Sequence, residues 1–257
     1  MGVRYSLASA QSGNRLLDRL GSKDRRRITG NCVSVELEAG AVLAVAGAAL
    51  KWVYFPVTAC ISLRSETAQG TTVEIGMIGR EGVLGGGLSL GVNEAPLRAV
   101  VNSAGSALRM AAAAYSSELA VHPVVRKLFL RYSFLKFTQA SAATVCVRFH
   151  SVEQRLARWL LMMSERTSGG LICATQTDLS ALLGVRRVSV THAAQSLQLR
   201  RVILYRRGRI SIMSPSGLAT SACTCYAEDR VRQRRIMGAL PTIHRPLWAT
   251  GERALDL

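Results

Sequence analysis

The sequence has 257 residues, 49% of them hydrophobic, and a formal net charge of +17. That is enough apolar material for one large or two ordinary domains, and it excludes a wholly disordered chain. No run approaches ~18 uninterrupted apolar residues, which excludes a membrane helix, and residues 1–6 lack the apolar core of a secretory signal, so a cytoplasmic address is expected.

The charge is uneven. Residues 1–121 carry 12 basic and 9 acidic side chains, whereas residues 122–257 carry 21 and 7. An arginine-rich excess of this kind suits a polyanionic partner or a solvated basic surface, and its position must decide. Residues 1–30 are polar and basic, with an amphipathic stretch at Leu16, Leu17 and Leu20, and predict a helical lead-in. From 31 the texture changes to short Val-, Ile- and Leu-rich runs punctuated by glycine, at 32–37, 41–45, 52–55, 61–63, 72–75, 83–84, 99–101 and 107–110. Strands so short and so regularly broken predict an antiparallel barrel or roll over 31–121.

The period switches near 113. Residues 113–150 hold no glycine and one proline, Pro123. Leu128, Leu135, Ala142 and Phe149 repeat every seven residues, with Phe134, Thr138 and Val145 on an adjoining row. This is a long helix with an apolar stripe, which pairs with another helix or packs along its own domain. Ser151-Val152-Glu153-Gln154 fits a capping box, so a new helix should start beyond a hinge at Phe149-His150. Its buried face would be Val152, Leu156, Trp159, Leu160 and Met163, and 168–170 should end it.

Thr175-Gln176-Thr177-Asp178 resembles a second capping box, with Leu179, Leu182 and Leu183 as an apolar face and Gly184 as the stop. A further helix is predicted from about 187 to 199. Val190, Ala194 and Leu197 would face inward, leaving Arg187, Val188, Thr191, His192 and Gln195 as an exposed stripe. Two helices around a glycine turn form a helix-turn-helix. The β-rich runs 202–205 and 210–212 around Arg206-Arg207-Gly208-Arg209 add a basic hairpin, or wing.

Here the sequence resembles a known family. Gln154-Arg155-Leu156-Ala157-Arg158-Trp159-Leu160-Leu161, Leu182-Leu183-Gly184-Val185-Arg186-Arg187 and Tyr205-Arg206-Arg207-Gly208-Arg209-Ile210 are similar to the cyclic-AMP receptor protein/Fnr family of transcription regulators. Val53-Tyr54-Phe55-Pro56 and Val73-Glu74-Ile75-Gly76-Met77-Ile78-Gly79-Arg80-Glu81-Gly82 resemble phrases of that family's β-roll, so the likeness covers roughly 14–226. It implies an α+β chain: an N-terminal cyclic-nucleotide-binding-like antiparallel β-roll, a dimerisation helix over 122–150, a winged helix-turn-helix over 151–226 and a basic tail over 227–257. The dimer helix would use Leu128, Leu135, Thr138, Ala142 and Val145. Arg187, Val188, Thr191 and His192 would read bases, since arginine and histidine can donate to a guanine edge and valine can touch a thymine methyl. Thr175, Gln176, Arg186, Ser189, Arg206, Arg207 and Arg209 would hold phosphates. Val188 stands where the cyclic-AMP receptor has an acidic residue, and His192 where it has an arginine, which implies a different operator. The partners implied are double-stranded DNA as an inverted repeat, a second copy of the chain, and RNA polymerase.

The sensor half departs from the family. Gly86 falls where nucleotide sensors carry a ribose-binding glutamate, Ala99 where they carry a serine, and Ala140-Ser141 where they carry a threonine–serine pair. With only Gly85, Gly86, Arg98 and Ser141 left to form an effector pocket, cyclic AMP is not expected, and an unidentified small molecule or no effector takes its place.

Other chemistries find little support. The four histidines, at 122, 150, 192 and 244, avoid the barrel, so a metal cupin is not expected, and no nucleophile–base motif suggests an enzyme. The six cysteines, at 32, 60, 146, 173, 223 and 225, include one close pair, Cys223-Thr224-Cys225, whose spacing is not that of the usual zinc or redox pairs. Reduced, scattered thiols with no metal and no cofactor are therefore expected. The remaining alternative is a ligand-sensing or interaction protein with a degenerate DNA-binding domain.

Overall fold

A computed structural model describes residues 12–167 and 171–238. The helix end expected at 168–170, the first part of the lead-in and the tail beyond 238 lie outside the described residues.

The N-terminal half is a roll of seven strands: β1 Val33–Leu37, β2 Val42–Ala44, β3 Trp52–Pro56, β4 Cys60–Glu66, β5 Thr72–Ile78, β6 Arg98–Ser103 and β7 Gly105–Ala111. They pair antiparallel in two sheets, ordered β1-β7-β3 and β2-β6-β4-β5. The core between them takes Val53, Phe55, Ile61, Ala99, Val101 and Met110, all fully or nearly fully buried. The run at 83–84 makes only a bridge from Leu84 to Tyr54. The chain turns away there because Gly85 adopts φ 110° and opens a 3₁₀ turn, Gly86–Leu90. The lead-in is another 3₁₀ turn, Leu17–Arg19, and a helix, α1 Ser22–Gly30, with Leu16, Leu17 and Leu20 buried in the roll.

The helical stretch after the roll is two helices, α2 Ala112–Val121 and α3 Pro123–Phe149. Pro123 sits in the first turn of α3, where its missing N–H costs nothing and prevents continuation from α2. Val125, Phe129, Tyr132 and Leu135 bury one face of α3 in the roll. There Phe129 meets Tyr115 edge-on at 5.1 Å between ring centroids and Phe55 at 6.0 Å. Leu135, expected on a dimer row, therefore belongs to the chain's own core, because it lies one turn beyond Tyr132 on that face. Leu128, Thr138 and Ala142 are half-buried. The open residues of α3 are drawn from both rows and beside them: Phe134, Phe137, Val145 and Phe149 are 53–74% exposed.

His150 leaves the helical conformation and Ser151 opens α4 Val152–Arg166. The capping box forms as expected, with Ser151 Oγ accepting from Gln154 N and Gln154 Oε1 accepting from Ser151 N. The second half then runs β8 Leu171–Cys173, α5 Gln176–Leu183, α6 Arg187–Leu199, β9 Ile203–Arg206, β10 Arg209–Ile212, α7 Pro215–Ser221 and α8 Cys225–Met237. Strand β8 was not anticipated. It pairs with β10, and Ile172 is its buried residue.

Helix α8 crosses the boundary expected at 226/227. The segment read as the start of a tail folds back along α3, where Asp229 accepts from Arg158 at 2.5 Å and Arg19 donates to the Met237 carbonyl at 2.6 Å. Arginines hid it from the sequence: its apolar side, Tyr226, Ile236 and Met237, is sparse.

The two halves meet through polar contacts in an otherwise apolar seam. Glu74 of β5 accepts from Trp159 Nε1 of α4 at 2.9 Å and from Ser62 Oγ at 2.5 Å, and burial pushes its carboxyl up to about 7. Glu81 pairs with Arg166 at 2.8 Å, and Lys136 donates to the Met77 carbonyl at 2.7 Å. Burial disfavours the Glu81 charge, but Arg166 and Lys136 hold its carboxyl below the usual range.

Candidate nucleic-acid interface

The interface begins with two caps. Thr175 Oγ1 accepts from Asp178 N, and Asp178 Oδ2 accepts from Thr175 N at 2.8 Å, which fixes the first turn of α5. At its other end Gly184 takes φ 63°, and the chain turns within Val185 and Arg186 into α6. Val190, Ala193, Ala194 and Leu197 bury the inner face of α6. The small Ala193 and Ala194 permit close approach, and the burial fixes which residues face out. Arg187, Val188 and His192 are exposed and Thr191 is half-buried on a single stripe.

Gln176, expected at the phosphates, is joined to that stripe. Its Oε1 accepts from Thr191 Oγ1 at 3.0 Å and from Arg187 Nε at 3.4 Å. Thr175, Gln176, Arg187, Thr191, Tyr205 and Arg207 line one open groove of about 360 Å³ between the two helices and the wing. Arg186 is exposed and Ser189 half-buried at the head of α6.

The wing is a two-residue hairpin. Arg206 pairs with Arg209, and Arg207 and Gly208 between them both have positive φ, at 50° and 75°. This combination marks a turn whose twist matches the strands. Arg206, Arg207 and Arg209 are all exposed. Tyr205 fastens the wing to the helices, its OH donating to the Ala174 carbonyl at 2.9 Å and its N–H to Gln198 Oε1 at 2.9 Å. The sequence pattern held no sign of this tie.

The residues expected to form an effector pocket are not brought together. Gly85 and Gly86 begin the 3₁₀ turn, where Ser133 Oγ donates to the Gly86 carbonyl at 3.0 Å. Ser141 is exposed and bonds back to the Phe137 carbonyl. A cleft of about 390 Å³ opens one residue away, lined by Leu97 rather than Arg98 and by Ala140 rather than Ser141. It runs between the halves, reaching Glu74, Lys136, Trp159 and Leu183. The expectation of scattered thiols also fails: Cys146, His150, Cys223 and Cys225 gather at the end of α3. No helix among the described residues is long and apolar enough to cross a membrane.

A family profile described as a Crp-like helix-turn-helix domain matches residues 154–221. No curated protein matches the sequence. Among solved structures, the chain is similar to FixK2 of Bradyrhizobium japonicum, at TM-score 0.62 and 14% identity over 75% of this chain and 98% of that one. It is similar to the c-di-GMP responsive global regulator CLP of Xanthomonas campestris, at TM-score 0.60 and 12% identity over 75% and 99%. The transcriptional regulator TTHA1359 of the CRP/FNR family from Thermus thermophilus gives 0.56 and 19% over 74% and 98%.

Proposed function

Residues 154–221 are a Crp-like helix-turn-helix domain, and the chain has the fold of Crp/Fnr transcription regulators; from this we propose a sequence-specific regulator that binds an inverted-repeat operator in the cytoplasm as a homodimer. The observation that carries the reading is the exposed stripe Arg187, Val188, Thr191 and His192, flanked by a basic wing. In the proposed complex α6 enters the major groove. Gln176 steadies Arg187 through Nε, which leaves the terminal guanidinium nitrogens for a guanine edge. Thr191 and His192 follow one turn on, and Val188 offers an apolar contact. Thr175, Gln176, Arg186, Ser189 and the three wing arginines lie against phosphates, giving affinity and register rather than sequence.

The open row Phe134, Phe137, Val145 and Phe149 supports dimerisation through α3, because exposed aromatic rows of this kind seek a partner. A two-fold axis there would set two recognition helices about 34 Å apart, one DNA turn. An effector of this chain would enter the cleft between β5, α3 and α4, where a ligand could favour one inter-domain arrangement by binding it more tightly. Such a signal would act on the His150–Ser151 break. RNA polymerase is the downstream partner of such a regulator.

Selection of bound sequences from a random duplex pool tests this directly, using purified protein at low and moderate salt. Enrichment of an inverted repeat is expected. Salt-sensitive binding without enrichment would remove the sequence-specific reading, and no binding at either salt would favour the interaction-protein alternative.

A further inference from the structure

Four side chains that the DNA interface does not use converge at the neck between the halves. Cys146 lies in the last turn of α3, and His150, four residues on, caps that helix on the same side. Cys223 lies in the short link between α7 and α8, and Cys225, beyond Thr224, is the first residue of α8. Folding therefore brings together residues more than 70 positions apart. The Cys146 and Cys223 sulfurs are 3.6 Å apart, Cys225 Sγ is 3.6 Å from His150 Nδ1, and all four donor atoms lie within 4.8 Å of one another. The three cysteines are unbridged and buried, at 2–5% exposure.

These separations match one coordination polyhedron. Metal–sulfur bonds of about 2.3 Å and metal–nitrogen bonds of about 2.0 Å in a tetrahedron give S···S edges of roughly 3.8 Å and S···N edges of roughly 3.5 Å. Ligands of an iron–sulfur cluster bind different irons and stand farther apart, so these four suit a single ion. Three thiols and an imidazole make poor hydrogen-bond partners for each other, and burying them together gains little unless something binds them. The surroundings suit thiolates. The charges of Arg155 and Arg158 both act on Cys146 and Cys223. The Arg158 Nε is buried with no hydrogen-bond acceptor among the described residues. Three thiolates around a divalent ion leave a net charge of −1, which these guanidiniums would balance.

We propose that Cys146, His150, Cys223 and Cys225 bind a single thiophilic divalent cation, zinc by the chemistry of its donors, and that this ion clamps the end of α3 to the start of α8. All four protein ligands are supplied, so the site is closed and structural rather than hydrolytic. Binding expels the three thiol protons and uses His150 through Nδ1. The ion would hold the break between α3 and α4, so its loss would loosen the DNA-binding half; that consequence for DNA binding rests on the function proposed above, whereas the site itself does not.

The test is elemental analysis of the full chain purified under reductant without a metal-affinity step, followed by cobalt substitution. One zinc per chain is expected, released by a mercurial reagent, and the cobalt form should show sulfur-to-cobalt charge transfer with the strong visible bands of a tetrahedral site. Cys146→Ser and Cys225→Ser should lose the ion, while Cys173→Ser, which alters an exposed thiol outside the cluster, should keep it. Should the cluster variants fail to fold, the cobalt spectrum of the unaltered chain decides alone. Absent zinc with only weak, octahedral cobalt bands would overturn the proposal, as would a Cys146–Cys223 disulfide in reductant-treated protein. Equal loss of metal in Cys173→Ser would overturn the assignment of ligands. Metal without DNA binding would leave this site standing and remove the function proposed above; DNA binding without metal would do the reverse.

Discussion

Arg187 and Gln176 illustrate how one residue's role depends on what holds it. Because Gln176 Oε1 receives both Arg187 Nε and Thr191 Oγ1, the arginine is presented in a fixed direction and loses little freedom on meeting a base. Arg187→Ala should weaken binding to the selected operator by about 1–3 kcal/mol while barely changing affinity for random duplex. Equal losses in a fluorescence-anisotropy titration of both duplexes would make Arg187 a phosphate contact instead. Glu74 makes a separate prediction. Its folded-state pKa of about 7 lies above the ordinary 4.5, so the folded chain holds that proton more tightly than the unfolded chain does. The resulting stabilisation is complete below pH 4.5 and is lost as the pH rises through 7. Glu74→Gln should therefore gain on the unaltered protein at pH 8, by on the order of 1–3 kcal/mol, and lose that advantage near pH 5. Urea titrations at the two pH values would show it, and a pH-independent difference would mean that Glu74 ionises freely. The exposed stripe of α6 was legible because an amphipathic helix declares its exposed side. The thiol cluster was not, since only folding brings Cys146 to Cys223, and a spacing rule sees neighbours in sequence alone. Arg98 and Ser141 stand one position from residues that line the cleft, Leu97 and Ala140, because alignment to a family carries no side-chain direction.

At the level of elements, the strands of the roll and both capping boxes were readable from alternation and spacing. The errors share a cause, namely that contact partners overrode local pattern. The heptad row from Leu128 to Phe149 was placed on one face, but a straight helix drifts about 20° per heptad, and the row runs from Leu135 inside the roll to Phe149, two heptads on, in the open. Strand β8 is three residues long and owes its conformation to β10. Helix α8 is highly charged and exists against α3. The turn between α5 and α6 is the strictest element. Gly184 has φ 63°, and an added Cβ would meet Val73 Cγ2 of the sensor sheet at 3.2 Å. Gly184→Ala should destabilise the chain by about 1–2 kcal/mol from the left-handed conformation alone. A thermal midpoint unchanged in calorimetry would show that the turn relaxes without cost.

For the whole molecule, the telling feature is the apolar face of α3 that the described residues leave open. Phe137 is 69% exposed, one turn from Phe134, and also borders the cleft between the halves. Phe137→Asp should convert the proposed homodimer into monomers in sedimentation velocity without altering the helical signal. A variant that sediments as the unaltered dimer would place the two-fold axis elsewhere. Such monomers should also lose operator affinity, because two half-sites held by one particle bind far more tightly than either alone.

The neck has a further consequence. The chain enters the DNA-binding half through His150 and leaves it through Cys223, and the Cys146 and Cys223 sulfurs lie 77 positions apart in sequence yet 3.6 Å apart in space. The winged half is thus a long loop whose two ends already touch. Any bond across those ends, through an ion or between two sulfurs, would reduce the unfolded chain's freedom by the closure entropy of the entire loop, about 4.5 kcal/mol at room temperature. The recognition surface itself would not move, yet the lifetime of the half that carries it would depend on the chemical state of a few atoms at its base.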